Sequence, residues 1–198
     1  MKVGVLALQG AFAAHARCLR ALGAEPLEVR TPAHLDDVDA LVLPGGESTT
    51  MSMLLESSGL FEPVAERLAD GLPTLGTCAG MILLGTEILD GRPDQRCFAA
   101  VDISVRRNAF GRQVDSFEEE IHLAGLEEPV HAVFIRAPWV ESISNGVKIL
   151  GAVVPPGLNE SKIIAVRHHN IMATSFHPEV TDDLRIHRYF VEMVRAAQ

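Results

Sequence analysis

Val3-Gly4-Val5-Leu6-Ala7-Leu8-Gln9-Gly10 opens the chain as an apolar run of strand length that stops at a polar residue and a glycine. Ala-rich sequence follows from Ala11 to Leu22, with Phe12, Ala16 and Leu19 at helical spacing and Gly23 placed to end the helix. A strand that is apolar along its whole length and feeds a helix is the repeating unit of a parallel sheet covered on both faces. The unit recurs. Leu27 to Arg30 and Ala40 to Leu43 read as strands, the second stopped by Pro44-Gly45-Gly46. Helical patterns then run from about Thr49 to Glu56 and from Phe61 to Ala69, and Gly71-Leu72-Pro73 turns into a short strand at Thr74-Leu75. A further helix is expected after Cys78.

From Phe98 onward the texture becomes β-like. Val101 to Val105, Val130 to Ile135, Ile149 to Val154, Ile163 to Val166 and Met172 to Ser175 read as strands, with turn signals at Asn145-Gly146 and Pro155-Pro156-Gly157. The chain closes on a helix that Thr181 can cap, with Asp182 and Asp183 in its first turn. Its apolar face is expected to comprise Ile186, Tyr189, Phe190, Met193 and Val194. The expected fold is α/β, a single-domain three-layer sandwich over residues 1–198. Its central sheet is mostly parallel, with helices on both faces and an antiparallel extension from the later strands.

Composition narrows the function. Of 198 residues 47% are apolar, which is enough for one core of ordinary size and too many for a disordered chain. The 17 basic and 26 acidic residues leave a net charge of −9, and no Lys/Arg run exists to neutralise phosphates, so no nucleic-acid partner is expected. No apolar run reaches the ~18 residues of a membrane span. Lys2, the run to Leu8 and Ala11-Phe12-Ala13 superficially imitate a signal peptide, but Gln9 and Gly10 interrupt the apolar core. A buried first strand of a cytoplasmic domain explains the same letters. Cys18, Cys78 and Cys97 are odd in number and widely spaced, which suggests no disulfide framework and fits a reducing compartment.

Three segments bear chemistry. In Leu75-Gly76-Thr77-Cys78-Ala79-Gly80-Met81 a Cys stands between glycines two positions away, at a strand-to-helix turn. That is the pattern of a nucleophile elbow with Cys in place of Ser: small neighbours let the backbone fold sharply and expose the thiol. The helix N-terminus that follows favours thiolate. The bland alternative is a small buried Cys in a Gly-rich turn. Ser175-Phe176-His177-Pro178-Glu179 supplies a base and its orienting carboxylate, provided the segment is extended so that His177 and Glu179 project to one side. An isolated His-Pro-Glu more commonly marks a polar strand end. Pro44-Gly45-Gly46-Glu47-Ser48-Thr49-Thr50 follows a strand directly, and its Gly-Gly backbone can present N–H groups to an oxyanion, with the Ala79 N–H as second donor. A Ser/Thr helix cap fits the same letters, whereas a phosphate loop lacks its lysine. All three segments follow strands, where open α/β sheets bind ligands.

The remaining candidates mostly read as structural. His168 and His169 are expected to face opposite ways on a strand, and no third ligand is spaced to make a metal site. Cys18 reads as packing, Cys97 has no assigned role, and Glu118-Glu119-Glu120 reads as a solvated run. Arg107 through Gln113 and Phe134-Ile135-Arg136-Ala137-Pro138 each place an Arg at a strand end or turn. Such an Arg could bind a substrate carboxylate, although a surface salt bridge is the default reading.

Taken together, Gly76-Thr77-Cys78-Ala79-Gly80, Pro44-Gly45-Gly46 and His177-Pro178-Glu179 resemble the class I, triad-type glutamine amidotransferases. The chain more closely resembles the family of glutaminase subunits of two-component pyridoxal 5′-phosphate synthases. That likeness rests on Leu8-Gln9-Gly10, Gly45 through Thr50, Arg107 through Phe117, Phe134 through Pro138 and Ser175 through Glu179. These segments span nearly the whole chain in the family's order, and no catalytic position departs from the pattern.

The resemblance implies Cys78 as nucleophile, His177 as general base and acid, and Glu179 as its orienting partner. It implies Gly46 and Ala79 as oxyanion donors and Gly46, Glu47, Ser48, Arg107, Ile135 and Arg136 as the residues that hold L-glutamine. Gln9 would help to organise the oxyanion hole when a synthase subunit docks. The implied partner is a (β/α)8-barrel synthase subunit in a large hetero-oligomeric ring, and no cofactor or metal is implied. Three rivals stand beside this reading: a glutaminase serving another ammonia-using synthase, a stand-alone Cys hydrolase or peptidase, and a scaffold that keeps the pocket.

Overall fold

The computed structural model describes residues 1–107, 116–144 and 146–197. The first half alternates as the apolar runs require. Strand β1 (Lys2–Leu6) leads to helix α1 (Phe12–Ala21), then β2 (Glu25–Val29) and β3 (Ala40–Leu43). Helices α2 (Ser48–Ser57) and α3 (Phe61–Ala69) follow, then β4 (Thr74–Thr77) and the short helix α4 (Ala79–Leu84). Gly23 ends α1 as expected: it takes φ +76°, its N–H reaches Arg20 O at 3.1 Å, and the Ala24 N–H reaches Leu19 O at 3.1 Å. That paired closure satisfies two otherwise orphaned carbonyls and suits a residue without Cβ.

The second half comprises β5 (Gly85–Leu89), β6 (Val101–Arg106), β7 (Ser116–Ile121), β8 (Val130–Ile135), β9 (Trp139–Ile143), β10 (Lys148–Val153), β11 (Lys162–His168), β12 (Ile171–Thr174) and helix α5 (Arg185–Ala197). The main sheet runs β2-β1-β3-β4-β12-β11-β9-β6-β5, with β10 added to β11. From β2 to β12 neighbouring strands are parallel. The extension through β11, β9 and β6 is antiparallel, and β5 returns parallel to β6.

Alternation along each central strand divides the core. In β3, Ala40 and Val42 join the apolar cluster under α1 and α5, whereas Leu41 and Leu43 join the cluster under α2, α3 and α4. Burial on both faces is why the strand reads as an unbroken apolar run.

Several sequence expectations need correction. β5, β7 and β9 do not stand out as strands in the sequence, and Glu118-Glu119-Glu120 is not a free solvated run. It lies in β7, which pairs with β8 as a separate two-stranded sheet. Only one face of β7 is covered, so Phe117 and Ile121 turn inward while Glu118 and Glu120 turn out and reach His131 at 2.8 Å each. The terminal helix starts at Arg185 rather than after Thr181. Thr181 Oγ1 accepts the Asp183 N–H at 3.3 Å, and Asp183 Oδ1 accepts the Arg185 N–H at 2.9 Å, so the chain turns twice first. His187, not Tyr189, is fully buried on its inner face. His168 and His169 do not point apart: His169 takes φ +50° in the turn after β11, and the two rings stand 4.3 Å apart. Residues 108–115 and Asn145 lie outside the described residues, and with them most of the Arg107–Gln113 segment and half of the Asn145-Gly146 turn.

Candidate active site

The site forms at the carboxyl ends of β1, β3, β4 and β12, where Gln9, Gly45-Gly46, Cys78 and His177 follow their strands. Cys78 sits between β4 and α4 with φ 49° and ψ −102°, a conformation unusual for a side-chain-bearing residue. The flanking glycines make this turn possible. A Cβ on Gly80 would run into the Leu43 carbonyl of β3, and one on Gly76 would come 2.8 Å from the Gly80 carbonyl carbon. The elbow is anchored by the Cys78 N–H, which donates to Thr174 O of β12 at 2.8 Å.

β12 then delivers His177. The His177 N–H donates to Val133 O of β8 at 2.9 Å, which ties the hairpin to the triad segment. His177 Nδ1 lies 2.8 Å from Glu179 Oε1, and His177 and Cys78 line the same cavity. The expected pairing is present, but an extended backbone does not produce it. Pro178–Val180 is a 3-10 turn, and the turn carries the carboxylate back to the ring.

Burial works against a charged imidazole, yet the hydrogen bonds to Cys78 and Glu179, together with their charge, raise the His177 pKa well above its ordinary value. Burial likewise works against a charged Glu179, and the His177 hydrogen bond with the nearby charge of His15 holds its pKa below the usual carboxylate value. The arrangement therefore favours an imidazolium against an ionised Glu179.

The Gly45-Gly46 loop is packed from both sides. A Cβ on Gly45 would enter the His177 ring, and one on Gly46 would enter the Gln9 amide. Gly10, at φ +90°, leaves the Gly45 carbonyl free to accept the Ala11 N–H at 3.0 Å. Gln9 Oε1 accepts the Glu47 N–H at 3.1 Å, so this side chain fixes the peptide just after Gly46. The helix cap here is Glu47 rather than a Ser or Thr: its carboxylate accepts the Thr49 N–H at 3.1 Å and the Thr50 N–H at 2.7 Å. Partial burial works against the charge, but the hydrogen bonds from Thr50 and Thr49 prevail and hold the Glu47 pKa at about 2.

Arg107 is not a loose surface ion pair. Its guanidinium reaches Glu47 Oε1 at 2.9 Å, Thr49 Oγ1 at 2.8 Å and Gln95 Oε1 at 2.7 Å. Gln95 Nε2 in turn donates to Ser48 Oγ at 3.0 Å. Gln95 is a site residue the sequence reading missed, since nothing in its polar loop distinguishes it.

A cavity of about 370 Å³ opens onto the thiol, lined by Gly46, Glu47, Ser48, Cys78, Ile82, Arg107, Ile135, Arg136 and His177. The fold thus gathers the candidate glutamine-binding residues around one space of ligand size. Ala79, as the first residue of α4, has an N–H outside the helical ladder, on the Cys78 side. A second cavity of about 390 Å³ touches Gly71 and Asn170, which precede β4 and β12, so it lies at the opposite end of those strands. Among the described residues no group of three or more His, Cys, Asp or Glu side chains is placed to hold a metal ion, and no helix is long and apolar enough to cross a membrane.

His15 and His187 are the other residues the sequence reading missed. Both are fully buried and stand behind Glu179. His15 falls three residues after Phe12 and four before Leu19, so its place on the apolar face of α1 was the available signal.

The match to known proteins extends along the chain. A model of the SNO glutamine amidotransferase family matches residues 5–196. The chain is 59% identical over 196 residues to "Pyridoxal 5′-phosphate synthase subunit PdxT" of Nocardia farcinica (strain IFM 10152), covering 98% of this chain and 86% of that protein. It is 55% identical over 196 residues to the protein of the same description from Salinispora tropica, covering 98% and 97%. A crystal structure described as a glutamine amidotransferase superposes with a TM-score of 0.88 at 45% identity, covering 97% of this chain and 98% of that one. The chain belongs to the SNO glutamine amidotransferase family.

Proposed function

We propose that this chain is the glutaminase subunit of a pyridoxal 5′-phosphate synthase, a single domain that hydrolyses L-glutamine and passes the ammonia to a synthase partner. The observation that carries this is the His177 ring, 2.8 Å from Glu179 Oε1 and lining, with Cys78, one cavity of about 370 Å³. Full-length likeness to two synthase subunits supports the choice of pathway.

The chemistry is acyl transfer. The Cys78 thiolate attacks the side-chain amide carbon of glutamine, and the oxyanion is taken by the Gly46 and Ala79 N–H groups. His177 protonates the departing nitrogen, and ammonia leaves. Water, deprotonated by His177, then hydrolyses the γ-glutamyl thioester and restores the thiol. Glu179 keeps the ring oriented and its positive charge stabilised throughout. Arg107, braced by Glu47, Thr49 and Gln95, and Arg136 supply the positive charge that the substrate carboxylate requires.

Gln9 gives the loop a means of control. Because it grips the Glu47 N–H, a partner that moves Gln9 resets the Gly46–Glu47 peptide, the unit next to the one that carries the Gly46 N–H donor. The partner is a (β/α)8-barrel synthase subunit, in a hetero-oligomeric ring, and the setting is the cytoplasm, which suits three free cysteines. Reconstitution with such a subunit tests the reading. Pyridoxal 5′-phosphate is expected from glutamine, ribose 5-phosphate and glyceraldehyde 3-phosphate only when this chain is present, whereas ammonium salt bypasses it. Formation from ammonium but never from glutamine would reject the pairing.

A further inference from the structure

Glu179 has two carboxylate oxygens, and the triad uses only one. Oε1 faces His177, whereas Oε2 is buried and has no hydrogen-bond partner among the described residues. A charged oxygen left bare in the interior is costly, so what surrounds it matters. His15 Nε2 stands 3.4 Å from Oε2 and 3.1 Å from Thr77 Oγ1 of β4. His15 Nδ1 is 2.9 Å from His187 Nε2 of α5, and His187 Nδ1 is itself buried without a partner. A continuous buried line therefore runs from α5 through α1 and the 3-10 turn to Cys78.

Two proton arrangements are open to this line. If His187 donates from Nε2 to His15 Nδ1, then His15 carries its proton on Nε2, hydrogen-bonds Thr77 Oγ1 with it and turns the N–H dipole toward Glu179 Oε2 at 3.4 Å. His187 Nδ1 is then a bare uncharged lone pair, and Oε2 faces an N–H rather than a lone pair. If instead His15 donates from Nδ1, its Nε2 lone pair accepts the Thr77 hydroxyl and lies 3.4 Å from the carboxylate, and His187 Nδ1 carries an N–H with no acceptor. The second arrangement leaves a buried donor unpaired and sets two electron-rich atoms together, so the first prevails. Burial drives the His15 pKa down to about 4 and that of His187 to about 3, so both rings are neutral at physiological pH.

We propose that His15 is a positioning residue for the triad: its Nε2–H, fixed in that tautomer by His187, presents the positive end of its dipole to Glu179 Oε2 at 3.4 Å and keeps the carboxylate ionised and turned toward His177. The inference rests on the triad reading of Cys78, His177 and Glu179. The other charged or titratable groups around Glu179 are His177, Cys18 and Arg17 of α1, and Asp182. Among the described residues none of these forms an ion pair with Oε2, which only His15 approaches, at 3.4 Å.

Nitrogen-15 NMR of the full chain reads the wild-type tautomer directly: His15 protonated on Nε2 and bare on Nδ1 supports the proposal, and the reverse tautomer overturns it. His15→Leu fills the volume without donating, while His15→Gln restores a terminal N–H. In His15→Leu the pH at which the His177 imidazolium deprotonates is expected to fall by about one to two units, with kcat on glutamine in the synthase complex down about 10- to 100-fold and KM nearly unchanged. His15→Gln is expected to recover most of both. A folded His15→Leu protein whose His177 titrates as in wild type overturns the role. If that variant does not fold, the wild-type tautomer decides alone. Neither NMR readout needs turnover, so failure of the wild-type complex to hydrolyse glutamine would reject the glutaminase reading and leave the positioning result separately legible.

Discussion

Nδ1 of His177 lies 2.8 Å from Oε1 of Glu179, and only Pro178 separates the two residues in the chain. So short a connection restricts the carboxylate to one approach to the ring. It also means that imidazole and carboxylate are carried on one turn, tied to β8 through the His177 N–H.

The first prediction concerns that pair. Glu179→Gln keeps the shape but removes the charge that stabilises the imidazolium, and it allows the wrong ring tautomer. Glutamine hydrolysis in the synthase complex should fall by about 10³–10⁴-fold, by analogy with the serine-protease triad. Steady-state ammonia release checks it, and unchanged turnover would remove Glu179 from the mechanism.

Acid stability should report the buried histidines. Unfolded His15 and His187 take up protons near pH 6.5, but in the fold their pKa values are lowered to about 4 and about 3. As pH falls from 6.5 towards 5 these two rings bind up to two more protons in the unfolded chain than in the native one, so stability drops, and below about pH 5 the depressed pKa values of Glu47 and Glu179 steepen the fall. The slope should approach about 2.7 kcal/mol per pH unit, two protons' worth. His177, whose pKa is raised, is protonated in both states there and adds nothing to the slope. Urea unfolding at several pH values measures it, and a flat profile between pH 6 and 4.5 would contradict neutral, buried rings.

Arg107 offers a binding test. Its guanidinium contacts Glu47, Thr49 and Gln95 together, a forked geometry that an ammonium cannot reproduce. Arg107→Lys should raise KM for glutamine by about tenfold with a smaller effect on kcat. A purely electrostatic role would leave the Lys variant near wild type.

The elbow glycine is a stability test. Gly80→Ala would drive a methyl group into the Leu43 carbonyl, which is backbone and cannot rotate away. Overpacking of this kind costs about 1–3 kcal/mol or more, equivalent to a fall in Tm of about 2–12 °C for a chain of this size. A thermal melt matching wild type would show that the turn has slack.

Much of this was legible in the sequence because the central strands are buried on both faces. Ala40 to Leu43 is wholly apolar for that reason, and its stop at Pro44-Gly45-Gly46 marks the sheet edge where the site forms. Cys78 was legible from its two glycines, which the close approach of β3 and of α4 demands. The link between His177 and Glu179 was found with the wrong geometry, because a proline after His suits a 3-10 turn as well as an extended strand. Glu118 to Glu120 hid a strand because its exposed face is charged. His15 escaped notice because a single His on an apolar helix face looks like packing until α5 brings His187 against it. Glu47 was not foreseen as the cap, since its side chain competes with Ser48 and Thr49 for the same role.

Ammonia release from glutamine, measured for the wild-type chain and for Cys78→Ala with a barrel-type pyridoxal 5′-phosphate synthase subunit present, tests the central claim most directly. The account predicts sustained release by wild type and none above background by the variant, with both proteins folded and both able to dock. Equal release by the two would contradict Cys78 as the nucleophile, and no release by either would contradict the glutaminase reading.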